Sequence, residues 1–452
     1  MAQFVRCLLV AAVLMLVIPF AGSATATAPQ GEPIVFGYVG YTLSPGTRPC
    51  MEIQRVAVEE INQAGGILGR PVRYVTADNK GQTTLTIEGA RHLLRSEGVI
   101  FLSVEGRSEI ALAAQENSAV MFKDYPHLLI LNGTGGLELT DRVVDDYERY
   151  RFTFRDWEPL EPSHYAQQRY IWEKAWPRMV PDGKRVAILW EDLNWNLPWR
   201  TNGIPSMDLP PWPDFMEELG LEVVFNQNVA PRGTMYLPVL QQIARAKADH
   251  IFFVSSWFTD TESFVKQWAD SAARNTLVHL YAGVSQTDMF WNMTGGRALG
   301  VVSNYMSIDV PITEKTVPFY ELAKKHGIPT QLNVHLAYAD IYFFKAVIEK
   351  AGGIDDIDTL IQSMYTTETT YSLGKMVYET QRIKPFFHCR KRVDPTDPSR
   401  KSYPGVFYMP WIQYQHDGKV QYLHGSTAEH EDFWTRYGMP EDLIMPEDLR
   451  KR

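Results

Sequence analysis

The feature that most constrains the fold is a unit that repeats from Ile34 onward: a short Val/Ile/Phe-rich run, a polar or glycine-containing turn, then a stretch with helical period. "PIVFGYVG" is apolar without alternation, the pattern of a strand buried on both faces. In "CMEIQRVAVEEINQA" the residues Ile53, Val56, Ala57, Ile61 and Ala64 fall on one helical face. Gly65 and Gly66 follow. A helix that stops and reverses needs positive φ, which glycine adopts without a β-carbon penalty. Pro71 bars further helix, so "PVRYVTADN" leaves as the next strand.

The alternation continues through "GVIFLSVEG", the helical "SEIALAAQENSA" and "HLLILNGTGG". Strands separated by helices of this length cannot form hairpins, so they run parallel with right-handed crossovers into a doubly wound sheet. A second set starts at "KRVAILWED" and runs through "LEVVFNQNV", "DHIFFVSSW", "TLVHLYAG" and "ALGVVSNYM". A chain of 452 residues exceeds what one core usually organises, so two α/β halves are expected. Two helical stretches, "VPFYELAKKHG" and "NVHLAYADIYFFKAVIEKAGG", come next, and a strand pair follows in "GVFYMPWIQYQHDGKVQYL", turned at "HDG". None of the twelve Trp residues precedes Trp157, so the halves differ in surface chemistry. "NWNLPWRTNGIPSMDLPPWP", Asn194 to Pro213, reads as a long loop of the kind that often carries function. Val393 to Gly405 reads as a second irregular insertion, and the tail from Gly425 has no clear fold of its own.

The start has a signal-peptide layout: Arg6 as the positive segment, an apolar run from Cys7 to Phe20, and small residues around Ala24 and Ala26. The run is short for a bilayer span of about twenty residues, with a signal anchor as the alternative. The expectation is cleavage after about residue 26 and release to the periplasm. Cys50 and Cys389 then lie in an oxidising compartment, where they either pair or stay as two buried thiols. A net charge of -9 argues against nucleic acid, which needs clustered cations.

Enzyme signatures are absent: there is no GxSxG, HExxH, CxxC, Walker loop or GxGxxG. No cofactor or metal is expected; His424 and His430 read as part of a solvated tail. A secreted hydrolase would need a nucleophile elbow that the chain lacks. "NGT" and "NMT" match glycosylation sequons that mean little in a bacterial periplasm.

"VEEINQAGGILGRPV", "LILNGTGGLELTD" and "YADIYFFKAVIEKAG" together resemble the type I periplasmic solute-binding proteins of ABC importers, in the branched-chain amino acid and amide (leucine-binding protein-like) group. The order of elements from about Ile34 to Leu423 agrees with that family. The resemblance implies two doubly wound α/β lobes joined by three crossover strands, with the ligand in the cleft between them. Lobe one would be 33–152 plus 309–375, and lobe two 153–308 plus 376–425, followed by a tail, 426–452. Ligands of doubly wound sheets bind at the carboxyl ends of strands, which places the cleft there on physical grounds as well.

In the third-strand loop the family presents serines to a ligand carboxylate, and Ser108 fits that place. Glu105 and Arg107 depart from the uncharged pattern; an Arg fork in the cleft would favour an anion, while a Glu105–Arg107 pair is the alternative. In the fourth-strand loop, Gly133 to Gly135, the family's threonine aligns with Gly135 and Thr134 stands one residue earlier. Trp257 and Phe258 occupy the place of the aromatics that cover the ligand. Gly283 and Val284 stand where an acid often meets the amine, with Glu191 and Asp192 as possible replacements or as surface acids. Tyr41, Trp157, Trp195, Trp199, Trp257 and Phe258 suggest stacking on a flat or apolar ligand.

The function implied is capture of a small solute (an amino acid, an amide, or a small or aromatic carboxylate) by closure of two lobes, followed by delivery to an ABC permease and ATPase complex in the inner membrane. The chain would act as a monomer. The alternative is a sensor of the same fold feeding a signalling or dehydrogenase system.

Overall fold

The computed structural model describes residues 28–156, 168, 171–173, 176–205, 208–281, 283–304, 311–391, 411–424 and 449. The signal-like start, Trp157, the insertion Val393–Gly405 and the tail from Gly425, with His430, lie outside the described residues, Leu449 excepted.

Two sheets carry the fold. The first has the order β2-β1-β3-β4-β5, all parallel, from β1 (Ile34–Gly40), β2 (Val72–Asp78), β3 (Phe101–Glu105), β4 (Leu128–Asn132) and β5 (Thr153–Arg155). The sheet therefore extends past the lobe boundary expected at 152. Strands β1, β3 and β4 are buried along their whole length, as their unbroken apolar runs require. Helix α1 (Arg48–Gln63) packs on the helix Leu332–Ala351, and α2 (Thr83–Ser96) on α3 (Ser108–Met121).

The second sheet has the order β14-β13-β10-β9-β8-β6-β7. Its parallel part is β6 (Arg185–Glu191), β7 (Glu222–Val229), β8 (His250–Val254), β9 (Leu277–Tyr281) and β10 (Val302–Asn304). The antiparallel pair β13 (Trp411–Tyr414) and β14 (Val420–His424) closes one edge, with Asp417 at φ 60 in its turn. A small hairpin of β11 (Thr369–Tyr371) and β12 (Gly374–Met376) has no counterpart in the sequence reading.

The double glycine behaves as its chemistry demands. Gly65 and Gly66 have φ of 100 and 77, and a β-carbon on Gly66 would stand 2.0 Å from the Arg70 carbonyl oxygen. Asn62 adds a device the helical pattern hid. Its side-chain amide accepts from the Val72 N–H at 2.7 Å and donates to the Val72 carbonyl at 2.8 Å, standing in for a strand partner where β2 begins. Ala64, expected on the buried face, is exposed because the helix has already ended there.

The Trp-rich stretch is less irregular than expected. Trp199 and Trp212 are fully buried and stack with ring centres 5.3 Å apart, pinning the stretch onto the second half before a helix begins at Trp212. Cys50 and Cys389 do not pair. The Cys50 thiol donates to the Gly46 carbonyl at 3.2 Å, whereas Cys389 lies 3.4 Å from the Thr140 hydroxyl; each is enclosed in its own packing environment. Among the described residues no helix is long and apolar enough to cross a membrane.

Candidate ligand-binding cleft

The carboxyl ends of the parallel strands in both sheets open onto one cavity of about 700 Å³, the solvent at its mouth included. From the first sheet come Gly106, Arg107, Ser108 and Glu109 after β3, Gly133 and Gly135 after β4, and Asn333 at the start of the helix Leu332–Ala351. From the second come Leu193, Asn194 and Trp195 after β6, the run Ser255–Phe258 after β8, and Tyr281 and Gln286 around the end of β9.

The first wall is built from backbone and small residues. Arg107 precedes α3 in extended conformation, and its carbonyl accepts from the N–H of Ile110 and Ala111 at 2.9 and 3.0 Å. The positive end of α3 therefore faces the cavity. The Ser108 hydroxyl accepts from the Gly136 N–H at 3.0 Å, which ties the β4 loop to α3 and leaves the hydroxyl proton to donate elsewhere. Gly133 has φ 60, and a β-carbon on it would stand 2.8 Å from the Asn333 amide nitrogen.

Behind Gly133 lies a buried charged cluster. The Gly133 N–H donates to Asp156 at 3.1 Å, and the Asn132 amide donates to Asp156 and Asp340 at 3.0 and 3.2 Å. Arg390 pairs with Asp340 at 2.7 Å, both fully buried. Burial pushes the Asp156 and Asp340 carboxyls up, and the Arg390 guanidinium opposes that push. Here the chain leaving the first sheet at Arg155 bridges to Cys389, so the cluster sits where segments pass between the two halves.

The second wall is aromatic and is held by one acid. Glu191 is completely buried and accepts from the Ser256 N–H at 2.8 Å, the Ser256 hydroxyl at 2.7 Å, the Trp195 indole at 2.5 Å and the Thr259 hydroxyl. Burial raises its carboxyl above the ordinary range, and these donors pull the other way. Both of its oxygens are committed to loop positioning. Asp192, by contrast, is an exposed partner of Arg200 at 3.0 Å.

A second, outer chamber of about 1110 Å³, the solvent at its mouth included, shares Gly106, Arg107, Trp257 and Phe258 with the first and adds Tyr41 and Glu105. Glu105 is buried, accepts from the Tyr38 hydroxyl and, at 3.5 Å, from the Asn333 amide, and is pushed up to about 7 chiefly by burial. It does not pair with Arg107, which is exposed. The halves touch across the cleft: a β-carbon on Gly46 would lie 3.1 Å from the Trp257 ring.

Of the residues singled out in the sequence, Arg107, Ser108, Gly133, Gly135, Trp195, Trp257 and Phe258 line the inner chamber, and Tyr41 and Glu105 the outer one. Thr134 is a correction: it is buried outside the lining, its carbonyl accepting from Arg155. Gly283 is another. It is buried at φ 76, where a β-carbon would stand 2.8 Å from the Ser256 carbonyl oxygen, so it shapes the wall from behind while Tyr281 and Gln286 face the cavity. Trp199 packs the core, 5.0 Å from the Tyr281 ring. Sequence reasoning missed Asn333, Tyr281 and Gln286; Tyr281 was within reach, since it ends a strand already recognised.

Comparison with known proteins agrees with this architecture. A family model described as periplasmic binding protein matches residues 44–141 and 210–387. A Leu/Ile/Val-binding protein of Rhizobium johnstonii is 24% identical over 325 residues, covering 72% of this chain and 80% of that protein. Among solved structures, a solute-binding protein of an ABC transporter from R. palustris in complex with 4-hydroxybenzoate superposes with TM-score 0.64 at 17% identity, covering 87% of this chain and 97% of the other. A leucine-binding protein of Thermotoga maritima does so with TM-score 0.63 at 15% identity, covering 88% and 99%. With its two parallel-cored sheets opening onto a shared cleft, and with the family model matching more than half its length, the chain belongs to the periplasmic binding protein family.

Proposed function

We propose that the chain is the periplasmic solute-binding component of an ABC importer and that its ligand is a small aromatic or branched carboxylate without an α-ammonium group. The two lobes, one built on each sheet, would close as a monomer around the solute before it passes to a permease and ATPase complex. The observation that carries the ligand class is the asymmetry of charge in the inner chamber. Arg107, Ser108 and the first-turn amides of α3 offer a carboxylate three kinds of donor. Glu109, an exposed residue on the first turn of α3, is the one acid lining the inner chamber among the described residues, and the buried acids behind the lining, Glu191, Glu105 and Asp156, accept from protein donors. An ammonium group entering this chamber would lose water without gaining a buried anion. Trp195, Trp257, Phe258 and Tyr281 supply flat apolar surface for the rest of the ligand. The relatives' Leu/Ile/Val and 4-hydroxybenzoate ligands bracket this class.

Closure then works by population shift, because the ligand touches both walls only when they meet. Isothermal titration with leucine, 4-methylpentanoate and 4-hydroxybenzoate tests the reading. The two acids lacking the ammonium bind at least tenfold tighter than leucine; leucine binding tightest would overturn it.

A further inference from the structure

The outer chamber carries one cation, Arg232, that binding a single carboxylate at Arg107 does not use. Arg107 lines both chambers from the first-sheet side, whereas Arg232, in the loop after β7, lines the outer chamber from the second-sheet side. Both are exposed, and neither is ion-paired among the described residues. The acid in the wall, Glu105, is turned to its own partners, the Tyr38 hydroxyl and the Asn333 amide. Trp257 and Phe258 line both chambers, as Arg107 does, so a ligand stacked on them in the inner chamber adjoins the chamber that Arg232 lines.

We propose that the solute is an elongated dianion, whose planar part and first carboxylate occupy the inner chamber while a second anionic group sits between Arg107 and Arg232 in the outer one. The inference rests on the carboxylate reading above and narrows it to a class. When the two halves close, two like charges are brought to one chamber from opposite sides, which disfavours closure. An anion between them reverses the sign and rewards the closed state alone, which is where a binding protein gains discrimination. Because both guanidinium groups reach solvent, the effect is screened by salt and amounts to about tenfold in affinity rather than the thousandfold of a dry site.

The test uses two probes on one skeleton, 4-(2-carboxyethyl)benzoate and 4-propylbenzoate, titrated calorimetrically into the whole protein at low and high sodium chloride. The diacid binds about tenfold tighter at low salt, and that ratio shrinks as salt is added. In Arg232→Ala the ratio falls to near one, and in Arg232→Glu it inverts. A ratio of one or below in the unaltered protein, or a ratio indifferent to Arg232→Ala, overturns the dianion. Tight 4-propylbenzoate binding in that case leaves the carboxylate reading standing, whereas failure of both acids to bind removes both.

Discussion

The two walls of the cleft solve the same problem with different materials. On the first-sheet side the lining is glycine, serine, a helix start and a cation, so that wall presents backbone dipoles and charge. On the second-sheet side it is indole, phenyl and phenol, set in place by one buried carboxylate that spends its oxygens on Trp195, Ser256 and Thr259. On the proposed reading the tasks divide accordingly: the first wall orients a charged end, and the second supplies contact area. On that reading Glu191 serves the site through the loop it holds and not through the ligand.

The strongest way to break that assignment is Trp257→Ala. The ring borders both chambers and meets the first half at Gly46, so it resembles the central aromatic anchors whose truncation costs about 2–4 kcal/mol in other interfaces. Calorimetry should record about a hundredfold loss of affinity for 4-hydroxybenzoate. A loss under threefold would move the apolar half of the site elsewhere.

Arg107→Ala comes next, with about a tenfold loss, since an exposed guanidinium delivers less than the 1.5–3 kcal/mol of a desolvated charged hydrogen bond. The measurement that isolates charge is the comparison of 4-hydroxybenzoate with its uncharged amide. The acid should lose and the amide should not. Equal losses would make Arg107 a packing residue.

The third test separates the chambers by pH. Glu105 moves from the ordinary glutamate value of 4.5 to about 7, with burial as the main cause and the Asp156 charge adding to it, while Tyr38, Asn333 and Thr47 oppose. The folded state therefore binds the proton more tightly than the unfolded chain. Its contribution to stability is complete below pH 4.5 and is lost as pH rises towards 7. Glu105→Gln, which stays neutral, should gain on the unaltered protein across that window by on the order of 2 kcal/mol, read as a difference in chemical-denaturation midpoints. Parallel curves would mean that Glu105 is ionised throughout.

What the sequence disclosed follows from which physics is local. Alternation of buried strands and helices marks the carboxyl edges, and Arg107, Ser108, Trp195 and Trp257 lie in the loops that leave those edges and line the cavity. Placement along the resemblance was uneven: it pointed to Ser108, Gly135, Trp257 and Phe258, which line the cavity, whereas Thr134, one residue before Gly135, and Gly283, two after Tyr281, are buried behind the lining. Long-range facts were out of reach. That Glu191 is enclosed by Ser256 and Thr259, sixty-five and sixty-eight positions later, is a property of sheet order, and that Asn333 buttresses Gly133 depends on a helix two hundred residues away. Arg232, in a polar "PRGT" turn, looks like any solvated surface residue until the other half of the cleft is beside it.

The subtlest test addresses the meeting of the walls itself. Gly46 lies in the β1–α1 loop, and its added methyl would come 3.1 Å from the Trp257 ring, tight enough that one partner must give by a few tenths of an ångström. Its own φ is not in the left-handed region, so Gly46→Ala carries no backbone strain of that kind and the penalty falls only on the state in which the halves touch. The unliganded open form should melt as the parent does, while affinity drops about three- to fivefold, corresponding to about 1 kcal/mol levied on closure. The decisive control is Gly46→Ala in a Trp257→Ala background, where the methyl has no ring to meet. If the affinity difference between glycine and alanine at 46 disappears there, the two residues are coupled through closure; if it survives, the loop acts through the first wall alone.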